Sequence, residues 1–208
     1  MAAQSATVFV VDDDQAVRQS LDMLIKSVGH SVQTFRSAQE FLDAYDPQKP
    51  GCLVLDIRMP GMSGLELQKT LRQRRIEIPT IFITGHGDVP VAVRALKDGA
   101  FEFLEKPFSK QMLLEHIRDA LKADDERRAQ RGASDAMETR MSSLTDRERQ
   151  VMEMVVQGKV NKEIAAALGL SKKTVEVHRA NVMQKLQADS IAELVKIVVS
   201  NRQSPSAP

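Results

Sequence analysis

Three consecutive aspartates, Asp12, Asp13 and Asp14, directly follow the apolar run Val8–Val11. Adjacent like charges repel one another, and the repulsion grows where burial partly removes them from water. A fourth aspartate, Asp56, ends another apolar run later in the chain. Carboxylates clustered in this way become tolerable when a divalent cation lies among them. Hard oxygen ligands without His or Cys nearby favour Mg²⁺.

Two further polar residues stand at the ends of apolar runs, and together with the aspartates they suggest phosphoryl chemistry. Such chemistry requires a cation and groups that neutralise the phosphoryl oxygens. Asp56 would be the nucleophile, since carboxylates can form aspartyl-phosphates. Thr84 would bond one phosphoryl oxygen, and Lys106 would supply positive charge to another. Taken singly, each strand-end aspartate is as readily a helix N-cap, and Asp14, directly before a helix, is the best candidate for that role.

The elements that would position these residues alternate between strand and helix. Amphipathic stretches such as Ala16–Val28 separate the apolar runs, and this alternation predicts a parallel sheet with helices on both faces. Right-handed crossovers bring the carboxyl ends of such strands to one edge, where these folds bind ligands. The predicted strands are Val8–Val11, Ser31–Phe35, Cys52–Leu55, Thr80–Ile83 and Phe101–Leu104.

Helix boundaries are marked by capping residues. A Ser or Thr followed three residues later by Glu predicts a capping box, and Gly predicts a helix end. The predicted boxes are Ser37 with Glu40, Thr145 with Glu148 and Ser190 with Glu193, while Ser63 or Gly64 opens the third helix, Gly29 ends the first, and Pro90 and Gly99 bracket the fourth.

The C-terminal part of the chain shows no strand pattern. Its helical stretches are Leu144–Gln157, Asn161–Leu168, Ser171–Leu186 and Ser190–Ser200. We therefore predict an α/β domain over residues 1–123, a linker over 124–141, a helical domain over 142–200 and a disordered tail over 201–208. The polar, charged linker is either a flexible tether or an extension of the fifth helix.

Within the helical domain, the stretch Asn161–Leu186 has the pattern of a helix-turn-helix. A short helix stops at Gly169, and Ser171 caps a longer one. Between Leu144 and the C-terminus there are 10 basic and 7 acidic side chains, which hints at a polyanionic partner. A generic helical hairpin with a solvated basic face is the alternative. The outward polar residues are Lys172, Lys173, Thr174, Glu176, His178, Arg179 and Lys185.

Composition limits the class of protein. The chain of 208 residues is long enough for two domains, and 42% of it is hydrophobic. It contains no apolar run long enough to span a membrane and no N-terminal pattern of a signal peptide. The single cysteine, Cys52, excludes an internal disulfide and is expected to be buried. We expect a cytoplasmic protein without membrane contact.

The first domain resembles the receiver domain of bacterial response regulators over about residues 5–123. The matching motifs are VVDDD, LVLDIRMPGMSG, IFITGHGD and FLEKPF. This resemblance implies a flavodoxin-like five-stranded parallel sheet in the order 2-1-3-4-5. It also implies that Asp56 accepts phosphate from a sensor histidine kinase, with Mg²⁺ held by Asp13 directly, by Asp12 mostly through water, by Asp56 and by the backbone carbonyl of Arg58.

The same resemblance assigns roles to residues beyond the metal site. Thr84 and Lys106 take the family's hydroxyl and lysine positions, and the Lys106–Pro107 bond is expected to be cis. Phe103 matches an aromatic switch position that rotates inward as Thr84 turns toward the phosphate; an ordinary strand aromatic is the alternative. From its position beside this edge, and not from the resemblance, His86 is expected to be a loop residue that modulates the lifetime of the phosphoryl group.

The second domain resembles the LuxR/NarL-type DNA-binding domain over about residues 142–200, an all-α, four-helix helix-turn-helix fold, so that the whole chain looks like a FixJ-type response regulator. The resemblance places the second helix of the motif in the major groove, with Glu176, Val177 and either Ala180 or Arg179 facing base edges. Lys172, Lys173, Thr174 and Lys185 would meet phosphates, and Asn161 and Lys162 start a helix whose N–H groups commonly bind phosphate. His178 is expected to face DNA or to pack.

Three classes of function compete. The first is a transcription factor switched by phosphorylation, partnered by a sensor histidine kinase, promoter DNA and RNA polymerase, and dimeric when phosphorylated. The second is an enzyme with an aspartate nucleophile, such as a phosphatase. The third is a constitutive DNA-binding protein. The sequence favours the first, because it devotes its last third to a helix-turn-helix instead of a substrate domain and fills every position of the acidic site. We expect no enzymatic activity beyond the protein's own phosphorylation and slow dephosphorylation.

Overall fold

The computed structural model describes residues 6–85 and 89–203. Contacts divide the chain into two compact units, one ending at Arg128 and the other starting at Ala129. The first unit alternates strands and helices: β1 (Thr7–Val11), α1 (Gln15–Ser27), β2 (Ser31–Phe35), α2 (Ala38–Ala44), β3 (Gly51–Asp56), α3 (Gly64–Gln73), β4 (Thr80–Thr84), α4 (Val89–Lys97) and β5 (Glu102–Glu105), followed by α5 (Lys110–Ser142), which continues past Arg128.

The five strands form one parallel sheet in the order β2-β1-β3-β4-β5, which confirms the predicted topology. The strand bounds agree with the sequence prediction to within one residue at each end. Only β5 is shifted by one residue at both ends relative to the prediction. Phe101 donates its N–H to Thr80 O before the pairing with β4 begins, and Glu105 at the other end still pairs with Thr84. The carboxyl ends of β1, β3, β4 and β5 meet at one edge, as crossover handedness requires.

Two apolar layers bury the sheet. Side chains alternate across it, so Phe9 and Val11 of β1 face one layer, whereas Val8 and Val10 face the other. The central strand β3 is buried along its whole length. Such a run, apolar on both faces, is typical of a parallel sheet covered on both sides by helices.

Capping explains where several helices begin. Asp14 caps α1, as predicted, by accepting the N–H groups of Ala16 and Val17. The box of Thr145 with Glu148 is complete, and so is one formed by Ser63 with Glu66. The other two predicted boxes are half formed. Ser37 and Ser190 accept the expected N–H groups. Their glutamates, however, accept the N–H of the residue before the serine, Arg36 for Glu40 and Asp189 for Glu193.

Gly64, the first residue of α3, is required by a close approach of two backbone segments. A Cβ atom on Gly64 would lie 2.2 Å from the carbonyl oxygen of Asp56, and the Gly64 N–H donates to Ile57 O at 3.0 Å. Real Cβ atoms do not come that close to backbone oxygen. Glycine therefore lets the helix pack directly on the segment that carries Asp56.

The second unit contains the end of α5 and four further helices: α6 (Asp146–Val156), α7 (Asn161–Leu168), α8 (Lys172–Leu186) and α9 (Ile191–Gln203). They share one apolar core that includes Val151, Ile164, Val175, Val182 and Leu194. Gly169, with φ of 67°, ends α7 in the left-handed conformation that the turn needs.

Several sequence expectations need correction or lie outside the described residues. Helix α5 runs through residues 124–141, so of the two predicted alternatives, a flexible tether or an extension of the fifth helix, the structure shows the second. The predicted disorder is wrong for residues 201–203, which belong to α9, because the apolar stripe of that helix keeps packing through Val198. Residues 204–208 and His86 lie outside the described residues. Within the described part of the chain, no helix is long and apolar enough to cross a bilayer.

Candidate functional site

The strand ends bring four of the predicted residues to one edge of the sheet. Asp12 follows β1, Asp56 ends β3, Thr84 ends β4 and Lys106 follows β5. Asp12, Asp56 and Thr84 are 1%, 6% and 2% exposed, respectively. This burial removes water from the carboxylates and makes their charge expensive unless a cation compensates it.

Lys106 provides that compensation by bridging the two buried carboxylates. Its Nζ donates to Asp12 Oδ2 at 2.8 Å and to Asp56 Oδ1 at 2.9 Å. The two aspartates are 44 residues apart in sequence, and the lysine lies 50 residues beyond the second, so only the sheet topology joins them. One ammonium group shared by two carboxylates leaves a net negative charge at the edge.

Backbone donors hold the remaining carboxylate oxygens in place. Asp12 Oδ1 accepts the N–H of Asp14 at 2.8 Å, and Asp56 Oδ2 accepts the N–H of Arg58 at 2.7 Å. Arg18 also donates from Nη1 to the Asp12 carbonyl oxygen at 2.7 Å. Arg18 was not among the residues predicted from the sequence. Its place in the first turn of α1, directly after the Asp14 cap, was the signal that could have identified it. These bonds fix the orientation of both carboxylates.

Burial and charge act in opposite directions on the titration of this site. Burial raises the pKa of Asp56, and the hydrogen bond from Lys106 only partly offsets that effect. Burial also lowers the pKa of Lys106, but its hydrogen bonds to Asp12 and Asp56 outweigh burial, so the net shift is upward. Lys106 therefore stays protonated at neutral pH. Burial destabilises the ionised form of Asp56, and added positive charge or a covalent bond to the carboxylate would remove that destabilisation.

The donor set is suited to a hard cation, although the described residues contain no preformed group of three or more His, Cys, Asp and Glu side chains arranged to hold a metal ion. Asp12 and Asp56 supply buried carboxylates, and Asp13 is exposed beside them. For Arg58, the structure shows its N–H on Asp56; the predicted use of its carbonyl as a ligand stays a prediction. Oxygen donors of this kind fit Mg²⁺, which keeps several of its waters.

Phe103 lies on β5, in register with Phe82 on β4 and two residue pairs before the pair of Thr84 with Glu105. Its ring is half-buried and packs against the apolar layer on the Phe9 side of the sheet. The ring thus belongs to the edge strand of the sheet and is only partly enclosed. Its predicted role as a switch stays a prediction. The Lys106–Pro107 peptide bond is cis, as the resemblance implied.

The second unit places a set of exposed residues on α8. Lys172, Lys173, Glu176 and Val177 are all exposed, and Val177 is 53% exposed despite being apolar. A single exposed apolar side chain is common on protein surfaces, so Val177 is accessible to a partner without by itself identifying a binding surface. His178 is half-buried, and its Nδ1 atom is buried without a hydrogen-bond partner.

Three predicted DNA-contacting residues also make contacts within the domain. Arg179 Nη1 donates to Asn161 Oδ1, which ties α8 to the first turn of α7. Lys185 Nζ donates to Glu148 Oε2 at 2.6 Å and to Ser143 O at 3.0 Å. Glu148 is buried, and only its capping role was predicted from the sequence. For Lys185, the structure therefore indicates a positioning role in place of a free charge for phosphate.

The Glu148–Lys185 pair predicts a pH-dependent loss of stability. Hydrogen bonding from Lys185 lowers the pKa of Glu148 from 4.5 to about 2. A depressed folded-state pKa contributes stability above about 4.5 that is lost as pH falls toward about 2. Glu148→Gln should lower the free energy of unfolding by about 1–3 kcal/mol at pH 7 and by less at pH 3.

Urea unfolding followed by circular dichroism measures this effect. The only tyrosine, Tyr45, lies in the first unit, and the chain has no tryptophan, so tyrosine fluorescence follows that unit separately. Exposed Glu138→Gln serves as the matched control and should change neither signal. An equal loss at both pH values would contradict the ion-pair explanation.

Comparisons with known proteins agree with this geometry. Residues 8–118 match the family "Response regulator receiver domain", and residues 142–198 match "Bacterial regulatory proteins, luxR family". The chain is 48% identical to the transcriptional regulatory protein FixJ of Azorhizobium caulinodans, over 94% of this chain and 93% of that protein. It is 43% identical to the response regulator protein TodT of Pseudomonas putida strain F1, over 95% and 87%, respectively.

Among solved structures, the chain is similar to the response regulator StyR. The two are 51% identical and superpose with a TM-score of 0.91, over 94% of this chain and 99% of that one. Full-length FixJ from B. japonicum is 42% identical with a TM-score of 0.59, over 96% and 98%.

Proposed function

The chain belongs to the response regulators, with a receiver domain and a luxR-family DNA-binding domain, and we propose that phosphorylation of Asp56 switches its binding to promoter DNA. The observation that carries this proposal is the Lys106 ammonium group joined to both Asp12 and Asp56. That arrangement combines a buried carboxylate with the positive charge that a transferred phosphoryl group needs.

In the proposed reaction, an Asp56 oxygen attacks the phosphorus of a phosphohistidine on a sensor kinase. The new O–P bond forms as the N–P bond breaks, and the histidine nitrogen leaves with the bonding electrons. Lys106 stabilises charge on one phosphoryl oxygen, and the Thr84 hydroxyl donates to another. Asp12, Asp13, Asp56 and the Arg58 carbonyl would hold Mg²⁺, which would neutralise further negative charge on the phosphoryl oxygens.

The proposed switch begins with Thr84 and Phe103. When Thr84 moves to bond the phosphoryl group, it leaves a space beside β5. The half-buried Phe103 ring then turns into that space. The surface of α4 and β5 then favours self-association. Leu96 on α4 and Phe101 directly before β5 are already exposed apolar residues on these elements, which supports a dimer through this surface.

DNA recognition is assigned to α8 and the start of α7. Lys172, Lys173 and Thr174 would contact phosphates near the start of α8, with Asn161 and Lys162 at the start of α7. Glu176 and Val177 would face base edges in the major groove, where a carboxylate accepts from cytosine and an apolar side chain contacts the thymine methyl group. Arg179 is already held by Asn161, so it would contribute through that pair.

Exposed charges on α8 predict two different effects on DNA binding. Lys172→Ala should weaken binding to every duplex and reduce the slope of log K against log salt by about 1, because one fewer counterion is released. Glu176→Ala should instead relax base preference at one position, by about 1–3 kcal/mol. Fluorescence anisotropy over a salt series measures both, with exposed Lys196→Ala on α9 as the control. Identical salt slopes for wild type and Lys172→Ala would contradict the assignment.

The rival enzymatic function makes a different prediction. A regulator keeps its phosphoryl group on Asp56 and does not turn over phosphate esters, whereas a phosphatase releases phosphate repeatedly from an added ester. Incubation with acetyl phosphate and separately with p-nitrophenyl phosphate distinguishes the two. We expect a persistent aspartyl-phosphate from the first and no sustained product from the second; multiple turnovers of the ester would favour the enzyme.

The names of the relatives support a role in transcription, since FixJ is described as a transcriptional regulatory protein. We infer that the partners are a sensor histidine kinase, promoter DNA and RNA polymerase. We also infer that the phosphorylated form is a homodimer and that the protein activates transcription in the cytoplasm.

A further inference from the structure

Arg18 on α1 makes a contact that the proposed reaction does not use. Its Nη1 atom donates to the carbonyl oxygen of Asp12 at 2.7 Å, and its side chain is half-buried. The bond reaches the backbone rather than a carboxylate, so its direct effect is not to pair with one of the acids. It holds the peptide unit that joins Asp12 to Asp13.

Strand geometry alone would not direct Asp12 and Asp13 to one ion. Successive side chains of an extended strand point to opposite faces of the sheet. β1 ends at Val11, and the chain bends at Asp13 before α1 begins. The direction of the Asp13 carboxylate is therefore set by the peptide units on either side of it.

Three hydrogen bonds hold the backbone around this bend. The Asp12 N–H donates to Phe35 O at 3.2 Å, next to the end of the pairing between β1 and β2. The Asp14 N–H donates to Asp12 Oδ1 at 2.8 Å. Arg18 holds the peptide unit between these two. Because a peptide unit is planar, fixing the Asp12 carbonyl group also fixes the direction in which the chain continues to Asp13.

The stability of α1 does not account for an arginine at this position. Arg18 is the fourth residue of a helix that starts at Gln15, and the first turn of that helix contains no acidic side chain. The backbone N–H groups give the start of a helix a partial positive charge, so a cation is unfavourable there. The bond to Asp12 O gives the guanidinium group a role that helix formation does not.

We propose that Arg18 positions Asp13 for Mg²⁺ by holding the Asp12–Asp13 peptide unit, and that it thereby sets the affinity of the receiver domain for the ion. This inference rests on the proposed function, which assigns Mg²⁺ to these aspartates. Arg18 is a positioning residue, because it acts through the backbone of Asp12. Groups that orient metal ligands in this way commonly change metal affinity by about 10–100-fold.

Electrostatics alone predicts the opposite result for the loss of Arg18. A guanidinium group beside the acids repels Mg²⁺, so its removal would strengthen binding if charge were its only effect. Loss of positioning weakens binding instead. The sign of the change in Mg²⁺ affinity therefore separates the two roles.

The test is a Mg²⁺ titration of the full-length, ¹⁵N-labelled protein without a phosphodonor, followed by NMR through the amide shifts of Asp13, Asp14 and Arg58. Arg18→Met removes both the charge and the donor, whereas Arg18→Lys keeps the charge and a donor on a flexible stem. Arg118→Met on α5, where the arginine is exposed, is the matched control for the loss of a cation. Thermal unfolding without Mg²⁺ measures any loss of stability.

We expect Arg18→Met to raise the Kd for Mg²⁺ by about 10–100-fold and Arg118→Met to leave it unchanged. The Kd of Arg18→Lys should fall between those of wild type and Arg18→Met. An ammonium group can reach the carbonyl oxygen, but it lacks the planar geometry with which a guanidinium group holds it.

Mg²⁺ binding by Arg18→Met that is as tight as in wild type, or tighter, would overturn the proposal. A purely structural role predicts a lower thermal midpoint with an unchanged Kd, and that result would overturn it as well. If Arg18→Met fails to fold, Arg18→Lys decides, and a Kd equal to that of wild type would then count against positioning. Failure of the proposed function appears differently, as a wild type whose amides at the acidic edge do not respond to Mg²⁺.

Discussion

Replacing Asp56 with asparagine should abolish phosphorylation of the protein while leaving it folded. The amide keeps the shape of the carboxylate but is a poor nucleophile, so acetyl phosphate should give no stable aspartyl-phosphate. The asparagine oxygen can still accept the Arg58 N–H, as Asp56 Oδ2 does in the wild type. Lys106 then loses its bond to Asp56 Oδ1 but keeps Asp12 as a partner. Intact-mass measurement should show one added phosphoryl group on wild type and none on the variant.

The same substitution should not cost stability at neutral pH. Burial raises the pKa of Asp56, so the folded state disfavours its ionised form relative to the unfolded state. A raised carboxyl pKa gives stability that is present at low pH and lost as pH rises through the folded pKa. Asp56→Asn removes that loss, and its thermal midpoint at pH 7 should equal or exceed that of wild type, whereas at pH 3 the two should converge.

Exposed Asp125→Asn on α5 is the matched control and should be phosphorylated like wild type. Chelation of Mg²⁺ should prevent labelling of wild type as fully as the Asp56 substitution does. Stable labelling of Asp56→Asn on another residue would show that the phosphoacceptor has been assigned to the wrong aspartate.

Phosphorylation should convert the protein from monomer to dimer and strengthen its binding to paired half-sites by about 10²–10⁴-fold. Two tethered DNA-binding domains gain this factor through effective concentration, without any new contact to DNA. The underlying shift in the receiver needs only a few kcal/mol, because a ligand moves an equilibrium by its differential affinity for the two states. Sedimentation with and without beryllofluoride measures the change in mass.

The surface assigned to this dimer can be tested by introducing a charged residue into it. Leu96→Arg on α4 places a cation on an exposed apolar position of the proposed interface and should block dimerisation while phosphorylation continues. Met112→Arg on α5, equally exposed and apolar, is the matched control and should leave dimerisation intact. If beryllofluoride leaves both mass and DNA affinity unchanged, release of an inhibitory contact between domains becomes the better mechanism.

Much of the fold was predictable because its signals are local. Apolar runs bounded by glycines and caps located all five strands, and parallel-sheet rules then placed Asp12, Asp56, Thr84 and Lys106 at one edge. The N–H groups that Glu40 and Glu193 accept were not predictable, since either of two neighbouring N–H groups can satisfy each glutamate.

Pairings between distant charged residues were the part that the sequence could not supply. Lys185 looked like one more outward cation of α8, and its bond to Glu148 depends on how α6 packs against α8. Asp124 looked like part of a solvated linker, and only the tertiary structure brings the Gly51 N–H to it across 73 positions. Charge patterns identify polar faces, but they do not reveal which charges the fold will bury.

The central claim is that phosphorylation of Asp56 controls DNA binding, and one affinity measurement tests it directly. Wild type and Asp56→Asn are titrated onto the same enriched duplex in Mg²⁺, each with and without acetyl phosphate. The account predicts that the phosphodonor lowers the Kd of wild type by about 10²–10⁴-fold and leaves that of Asp56→Asn unchanged. An equal response of the two proteins, or no response of wild type despite complete phosphorylation, would contradict it.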